Sequence, residues 1–193
     1  MAVSRFDLVE LDTLPDDLRE RIELIASKSG FVPNVFLALA HRPAELRAFM
    51  DYHDALMYPA KEGPTLSAAE RELIVVATSG ANHCTYCVVA HGAILRVRSK
   101  DTEIAEKVAT NPWGAALEPR RRAIVDLALQ IAGDSAGLTD DDLDAAREAG
   151  LTTDEIWDIG AITALFAMSN RIAHLTALVP NPEFFTMGRQ PRS

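Results

Sequence analysis

Cys84 and Cys87 are the only thiols in the chain; two residues separate them, and His91 follows four residues after the second. Two thiols this close can close one disulfide or share one metal, and a histidine at this distance can move a proton. On a helix the three residues fall at i, i+3 and i+7, on one face. A cysteine in the first turn meets free amides and the positive end of the helix dipole, which favours thiolate at Cys84. Cys87 lies one turn before His91, within reach of its imidazole. The segment therefore points to redox chemistry at a dithiol.

A carboxylate upstream completes the set. If two antiparallel helices meet near Ala81-Asn82, Glu72 and His91 stand side by side, each roughly 14 Å from the tip at 1.5 Å of rise per residue. Glu72 would then orient His91 and hold its tautomer. Glu70 competes, but Ser67-Ala-Ala-Glu70 reads as a capping box that already employs it. The chain of groups is Glu72–His91–Cys87, with Cys84 as second thiol. Taken singly, Glu72 is an ordinary surface glutamate, and a lone CxxC fits zinc as well as redox chemistry. Tyr86 is either a hydrogen-bonding accessory to the site or a packing aromatic, and His83 a rim accessory. His41, His53 and His174 are structural by default.

The elements that must position these groups are helical. Pro15 to Ser29 reads as a helix stopped by Gly30, and Val35 to Ala40 as a short one. Pro43 opens the next, with Leu46, Phe49, Met50, His53 and Leu56 on one face. Lys61-Glu62-Gly63-Pro64 is a break. Ser67 opens a helix to about Thr78 that Gly80 can end. Asn82 can cap the cysteine helix, which runs to about Arg98. Asp101 opens a short helix, and Ile124, Leu127, Ala128 and Ile131 mark another. Thr139 and Gly150 bracket one more. Thr152-Thr-Asp-Glu155 is a second capping box, before a long apolar helix through Leu178 that is either core or interface. Strand-like alternation is missing. The expectation is an all-α, single-domain helical bundle over 1–193: a helical arm over about 1–64, the CxxC core over about 65–178 and an irregular tail over 179–193.

Composition sets outer bounds. With 193 residues, 48% hydrophobic and 24% charged, the chain suits one globular domain with a real core. A net charge of −9 argues against nucleic-acid binding. The one basic cluster, Arg120-Arg121-Arg122, reads as a solvated face. No apolar run reaches membrane-spanning length, and the N-terminus lacks a secretory layout, so a cytoplasmic location without membrane attachment is expected.

Glu72 followed by Cys84-x-x-Cys87-x-x-x-His91 resembles the signature of the alkylhydroperoxidase D-like proteins in the carboxymuconolactone decarboxylase superfamily. Gly30-Phe31-Val32-Pro33-Asn34, Glu70-Arg71-Glu72-Leu73-Ile74, Asn82-x-Cys84-x-Tyr86-Cys87-x-x-Ala90-His91 and Asn170-Arg171 are similar to its branch of uncharacterised peroxidase-related enzymes. The resemblance implies an all-helical fold assembled as a trimer or hexamer, reduction of hydroperoxides, and no cofactor or metal. It implies attack by Cys87, condensation with Cys84 to a disulfide, and a Glu72–His91 proton relay. A dithiol reductant, lipoyl-bearing or thioredoxin-like, would restore the thiols. One position departs: the founding alkylhydroperoxidase D carries a histidine directly before its second cysteine, where this chain has Tyr86, and tyrosine is no base near neutral pH.

Three other readings stay open at this stage. Cys84, Cys87 and His91 could hold zinc with His83 or Glu72 as fourth ligand, although no second Cys/His cluster exists. A lyase like the decarboxylase side of the superfamily would not need the cysteine pair. A non-catalytic module could use the dithiol only as a redox sensor.

Overall fold

The structure, a computed structural model, describes residues 2–60 and 65–189. Those residues form nine α-helices and no strand: α1 (Asp16–Ser29), α2 (Asn34–Leu39), α3 (Pro43–Met57), α4 (Ala68–Ala81), α5 (Thr85–Ser99), α6 (Ile104–Thr110), α7 (Pro119–Asp134), α8 (Asp140–Glu148) and α9 (Thr153–Thr176). Short 3-10 turns stand at Leu11–Thr13, Pro112–Gly114, Ser135–Gly137 and Pro182–Phe185. The break expected at Lys61–Pro64 lies outside the described residues.

α4 is the centre of the molecule. Every residue from Glu70 to Ser79 is buried, and the helix packs against α5, α6, α7 and α9. A helix apolar on nearly all sides has to sit in the core. Its N-terminus is closed by the expected capping box, Ser67 N–H to Glu70 Oε2 at 2.7 Å and Glu70 N–H to Ser67 Oγ at 3.2 Å. A second box, Thr152 with Glu155, opens α9. Arg120 joins the two: its guanidinium donates to Glu70 Oε1 at 3.0 Å, to Glu155 Oε1 and to the Gly150 carbonyl. Arg122 donates to the carbonyls of Pro112 and Ala115. The solvated face expected for this cluster is therefore corrected: two of its three arginines are structural ties, because capping glutamates and turn carbonyls surround the start of α7.

Four boundaries also shift. α4 continues through Gly80 to Ala81, since Gly80 is a packing glycine: a Cβ there would stand 2.6 Å from the Ala109 carbonyl oxygen. Asn82 ends α4 rather than starting α5, and Cys84 is the N-cap of α5. Asp101 caps from a distance, accepting from the amides of Glu103 and Ile104. α9 stops at Thr176, with Ala177 left-handed at φ 48°.

The tail is less irregular than expected, and residues 190–193 lie outside the described residues. Asn181 accepts from the Asn34 amide at 2.8 Å and donates to the Val32 carbonyl at 2.9 Å. Buried Arg96 donates to the carbonyls of Phe184 and Met187. These bonds lay Phe184 and Met187 beside the cysteines, where Ala38, Tyr86, Ala90 and Phe31 complete one apolar cluster.

Candidate functional site

α4 and α5 form a tight hairpin. His83 N–H donates to the Gly80 carbonyl at 3.0 Å and Cys84 N–H to the Ser79 carbonyl at 2.9 Å. His83 is left-handed at φ 56°, and that residue turns the chain so that Cys84 begins a new helix. The hairpin brings Glu72 and His91 together: His91 Nδ1 and Glu72 Oε2 are 2.8 Å apart. Glu72 is 1% exposed and His91 15%. The other carboxylate oxygen, Oε1, has Arg98 Nε at 3.9 Å, and the Arg98 guanidinium lies over the Tyr58 ring. A carboxylate buried this deeply needs such partners to offset its lost hydration. With Nδ1–H donated to Glu72, Nε2 of His91 is left as the basic nitrogen. Phe166 of α9 packs edge-on against the imidazole, with centroids 4.7 Å apart.

Both thiols are free and buried. They differ electrostatically. The Cys84 thiol is brought down to about 6, above all by the Cys87 thiol directed at it, against the opposing pull of burial. The Cys87 amide, His174 and Asn170 add to the lowering. Cys84 closes no ordinary side-chain cap bond, yet its place at the N-cap is what turns the Cys87 amide towards it. Cys87 is pushed well above the usual thiol range by its hydrogen bond to Cys84 and by burial. The two thiols are thus set apart, Cys84 the more acidic and Cys87 the less.

The opposite wall comes from α9 and was not read as part of the site beyond the family resemblance. Asn170 is fully buried. It donates to Ser79 Oγ at 3.1 Å and accepts from Asn82 Nδ2 at 3.0 Å. Both Asn170 and Ser169 favour the Cys87 thiolate. His174, expected to be structural, lies exposed on α9 with Nε2 3.3 Å from the His83 carbonyl oxygen. His83 itself is exposed. Tyr86 is a packing residue with one polar duty: its hydroxyl accepts from the Val35 amide at 3.1 Å, which seats α2 on the cysteine helix. Tyr86 and Ser169 also line a narrow apolar niche with Val35, Leu39, Phe49 and Met168.

The chain is 53% identical, over 100% of both chains, to an uncharacterized peroxidase-related protein from Ralstonia eutropha JMP134 described as an alkylhydroperoxidase AhpD core, with a TM-score of 0.95. It belongs to the alkylhydroperoxidase D-like group of the carboxymuconolactone decarboxylase superfamily. A peroxidase-related protein from Silicibacter sp. TM1040 is 36% identical, covering 98% of this chain and 97% of that one, with a TM-score of 0.89. The carboxymuconolactone decarboxylase family model matches residues 43–111, the stretch that holds Glu72, both cysteines and His91. The debrominase Bmp8 shares the fold at 17% identity, with 97% of this chain and 96% of that one covered and a TM-score of 0.75. No curated protein matches the chain. Among the described residues no helix is long and apolar enough to cross a membrane.

Proposed function

We propose that this family member is a thiol-dependent peroxidase, which reduces hydroperoxides and keeps the two electrons' worth of oxidation as a Cys84–Cys87 disulfide. The observation that carries the reading is the 2.8 Å Glu72–His91 hydrogen bond beside a buried, free cysteine pair.

In the proposed sequence the hydroperoxide meets Cys87, one turn from His91. Cys87 passes its proton to Nε2 of His91, and its sulfur attacks a peroxide oxygen. The O–O bond breaks, and the departing oxygen takes the proton back from His91 and leaves as the alcohol. Cys87 is now a sulfenic acid. The Cys84 thiolate, already ionised, attacks that sulfur, and hydroxide leaves as water after gaining a proton from solvent. The sum is thiolate, thiol, hydroperoxide and one proton going to disulfide, alcohol and water. A lipoyl-bearing or thioredoxin-like dithiol then reduces the disulfide by exchange. Cys87→Ser should abolish trappable sulfenic acid, while Cys84→Ser should let it accumulate; the reverse pattern would reassign attack to Cys84. Trp157, Met168 and Leu175 lie exposed on α9 at 76, 40 and 61%, and we assign that stripe to a homo-oligomer, a trimer or hexamer, which light scattering would test.

The deciding experiment is a free-thiol count and product mass after one equivalent of tert-butyl hydroperoxide. Loss of both thiols with a two-hydrogen decrease in mass is expected. Thiols that ignore peroxide but are unmasked by a chelator would mean a zinc module. Carbon–carbon lyase activity that survives loss of both cysteines would mean a decarboxylase-type enzyme.

A further inference from the structure

The site contains a second histidine that neither the motif nor the relay employs. His53, on α3, has its ring centroid 6.5 Å from that of His91, and Phe166 packs against both rings. Its surroundings repeat those of His91. His53 Nδ1 is 3.0 Å from Asp54 Oδ1, and the other oxygen of Asp54 accepts from Arg21 of α1 at 2.7 Å. His91 Nδ1 is held by Glu72, whose other oxygen faces Arg98. Two histidine–carboxylate–arginine sets therefore stand side by side, with one phenylalanine against both rings. Each spends Nδ1 on its carboxylate, and neither Nε2 has a hydrogen-bond partner among the described residues. The two imidazoles are neighbours, 6.5 Å apart between centroids.

Exposure rises along this path. Glu72 is 1% exposed, His91 15%, His53 21% and Asp54 48%. The chemistry proposed above, on which this inference rests, needs such a path: its balance consumes one proton from solvent in each oxidation, and the site is walled by buried side chains. We infer that His53 is the proton-relay residue that joins solvent to Nε2 of His91. The charged and titratable groups that face it are Asp54 on its own helix, Arg21 from α1, Tyr58 beyond the end of α3, and His91 with Glu72 and Arg98 behind it. α9 presents Phe166. The Asp54 carboxyl is held below its usual range, chiefly by His53 and then by Arg21 against burial, so His53 has an ionised partner when it carries the proton.

The test is His53→Gln, followed by the rate at which tert-butyl hydroperoxide converts the reduced protein to disulfide, with and without imidazole. Near neutral pH the variant should be about tenfold slower, reach the same product, and recover most of the rate with imidazole. An unchanged rate overturns the inference, and so does a loss that imidazole does not restore. Asp54→Asn, which leaves the ring in place but removes its carboxylate partner, takes over if His53→Gln loses its helical circular dichroism: it should slow the reaction as well, and an unchanged rate overturns the inference. If wild-type protein ignores peroxide, the peroxidase reading fails by itself, and histidine NMR still decides the pairing. The His91 ring resonances should shift in His53→Gln, and resonances that stay in place rule the pairing out.

Discussion

Cys87→Ala asks where the acidity of Cys84 comes from. In the reduced site Cys84 is brought down to about 6 from 9.0, and the Cys87 thiol is the largest cause. Burial, the next in size, pushes the other way. Alanine removes the sulfur donor but keeps the amide, the helix and the burial. What remains in favour of the thiolate is the Cys87 amide, His174 and Asn170, opposed by desolvation. The midpoint should therefore climb back to near the ordinary thiol value. A change of about three pH units is worth about 4 kcal/mol, and at pH 7 the thiolate fraction would fall from about nine-tenths to about one-hundredth.

Thiolate absorbance in the ultraviolet, followed against pH on wild type, Cys87→Ala and Cys84→Ala, measures this directly. Wild type should show one transition near 6 and a second well into the alkaline range. Cys87→Ala should show a single transition near 9, and Cys84→Ala should lose the one near 6. A Cys87→Ala protein that still titrates near 6 would refute the reasoning, because the amide and His174 would then suffice and the paired-thiol account of the charge would be wrong. Both variants remove one buried sulfur each, so a matched loss of thermal stability is expected and does not bear on the answer.

Other outcomes follow from the same geometry. Glu72→Gln keeps the shape of the side chain but can no longer hold a charged imidazole, and it should slow peroxide-driven disulfide formation by about a hundredfold in quenched-flow thiol assays. Arg120→Met leaves the two capping glutamates without their shared partner; with Glu155 nearly buried, a loss of about 1–3 kcal/mol in urea unfolding is expected, with the rate of disulfide formation unchanged in the folded protein. Asn170→Ala should raise the titration midpoints of both thiols together, since the amide favours both thiolates. Stability should depend on pH with a definite sign: Cys84 is an acid whose folded pKa lies below its unfolded one, so its contribution is complete above about pH 9 and fades as pH falls through about 6. Scanning calorimetry of the reduced protein should show that decline, and Cys84→Ser should flatten it.

The parts of the site that were legible in the sequence are those that local rules specify. Glu72 and His91 were paired by counting residues from a hairpin tip, and helical rise is regular enough for that count to work over nine residues. Both capping boxes were read from four-residue patterns whose chemistry is local. Gly80 was misread because a stop signal and a packing contact look alike in sequence, and only the approach of Ala109 separates them. Arg120 was misread because its partners are acidic residues 50 and 35 positions away. Asn170, His174 and His53 could not be assigned for the same reason. They reach the cysteines and His91 from α9 and α3, and nothing in their immediate neighbours distinguishes them from ordinary helical residues.

That division between local and distant contributions bears on which sulfur holds the charge. Asn170 comes from across the molecule and favours both thiolates, so it lowers the cost of a charge in the pocket without choosing its place. The choice is made by the chain itself. Cys84 is the N-cap and Cys87 is three residues into the same turn, so the amide and the thiol of Cys87 both point back at Cys84, while nothing equivalent points forward. Had α5 begun at Asn82, as the sequence suggested, Cys84 would stand inside the first turn rather than at the N-cap, and the Cys87 amide would be committed to a carbonyl one turn back. The left-handed residue His83 prevents this by restarting the helix at Cys84. The electrostatic asymmetry of the dithiol thus rests first on the hydrogen bond between the two thiols and then on the Cys87 amide, and the buried polar wall of α9 favours thiolate at both sulfurs.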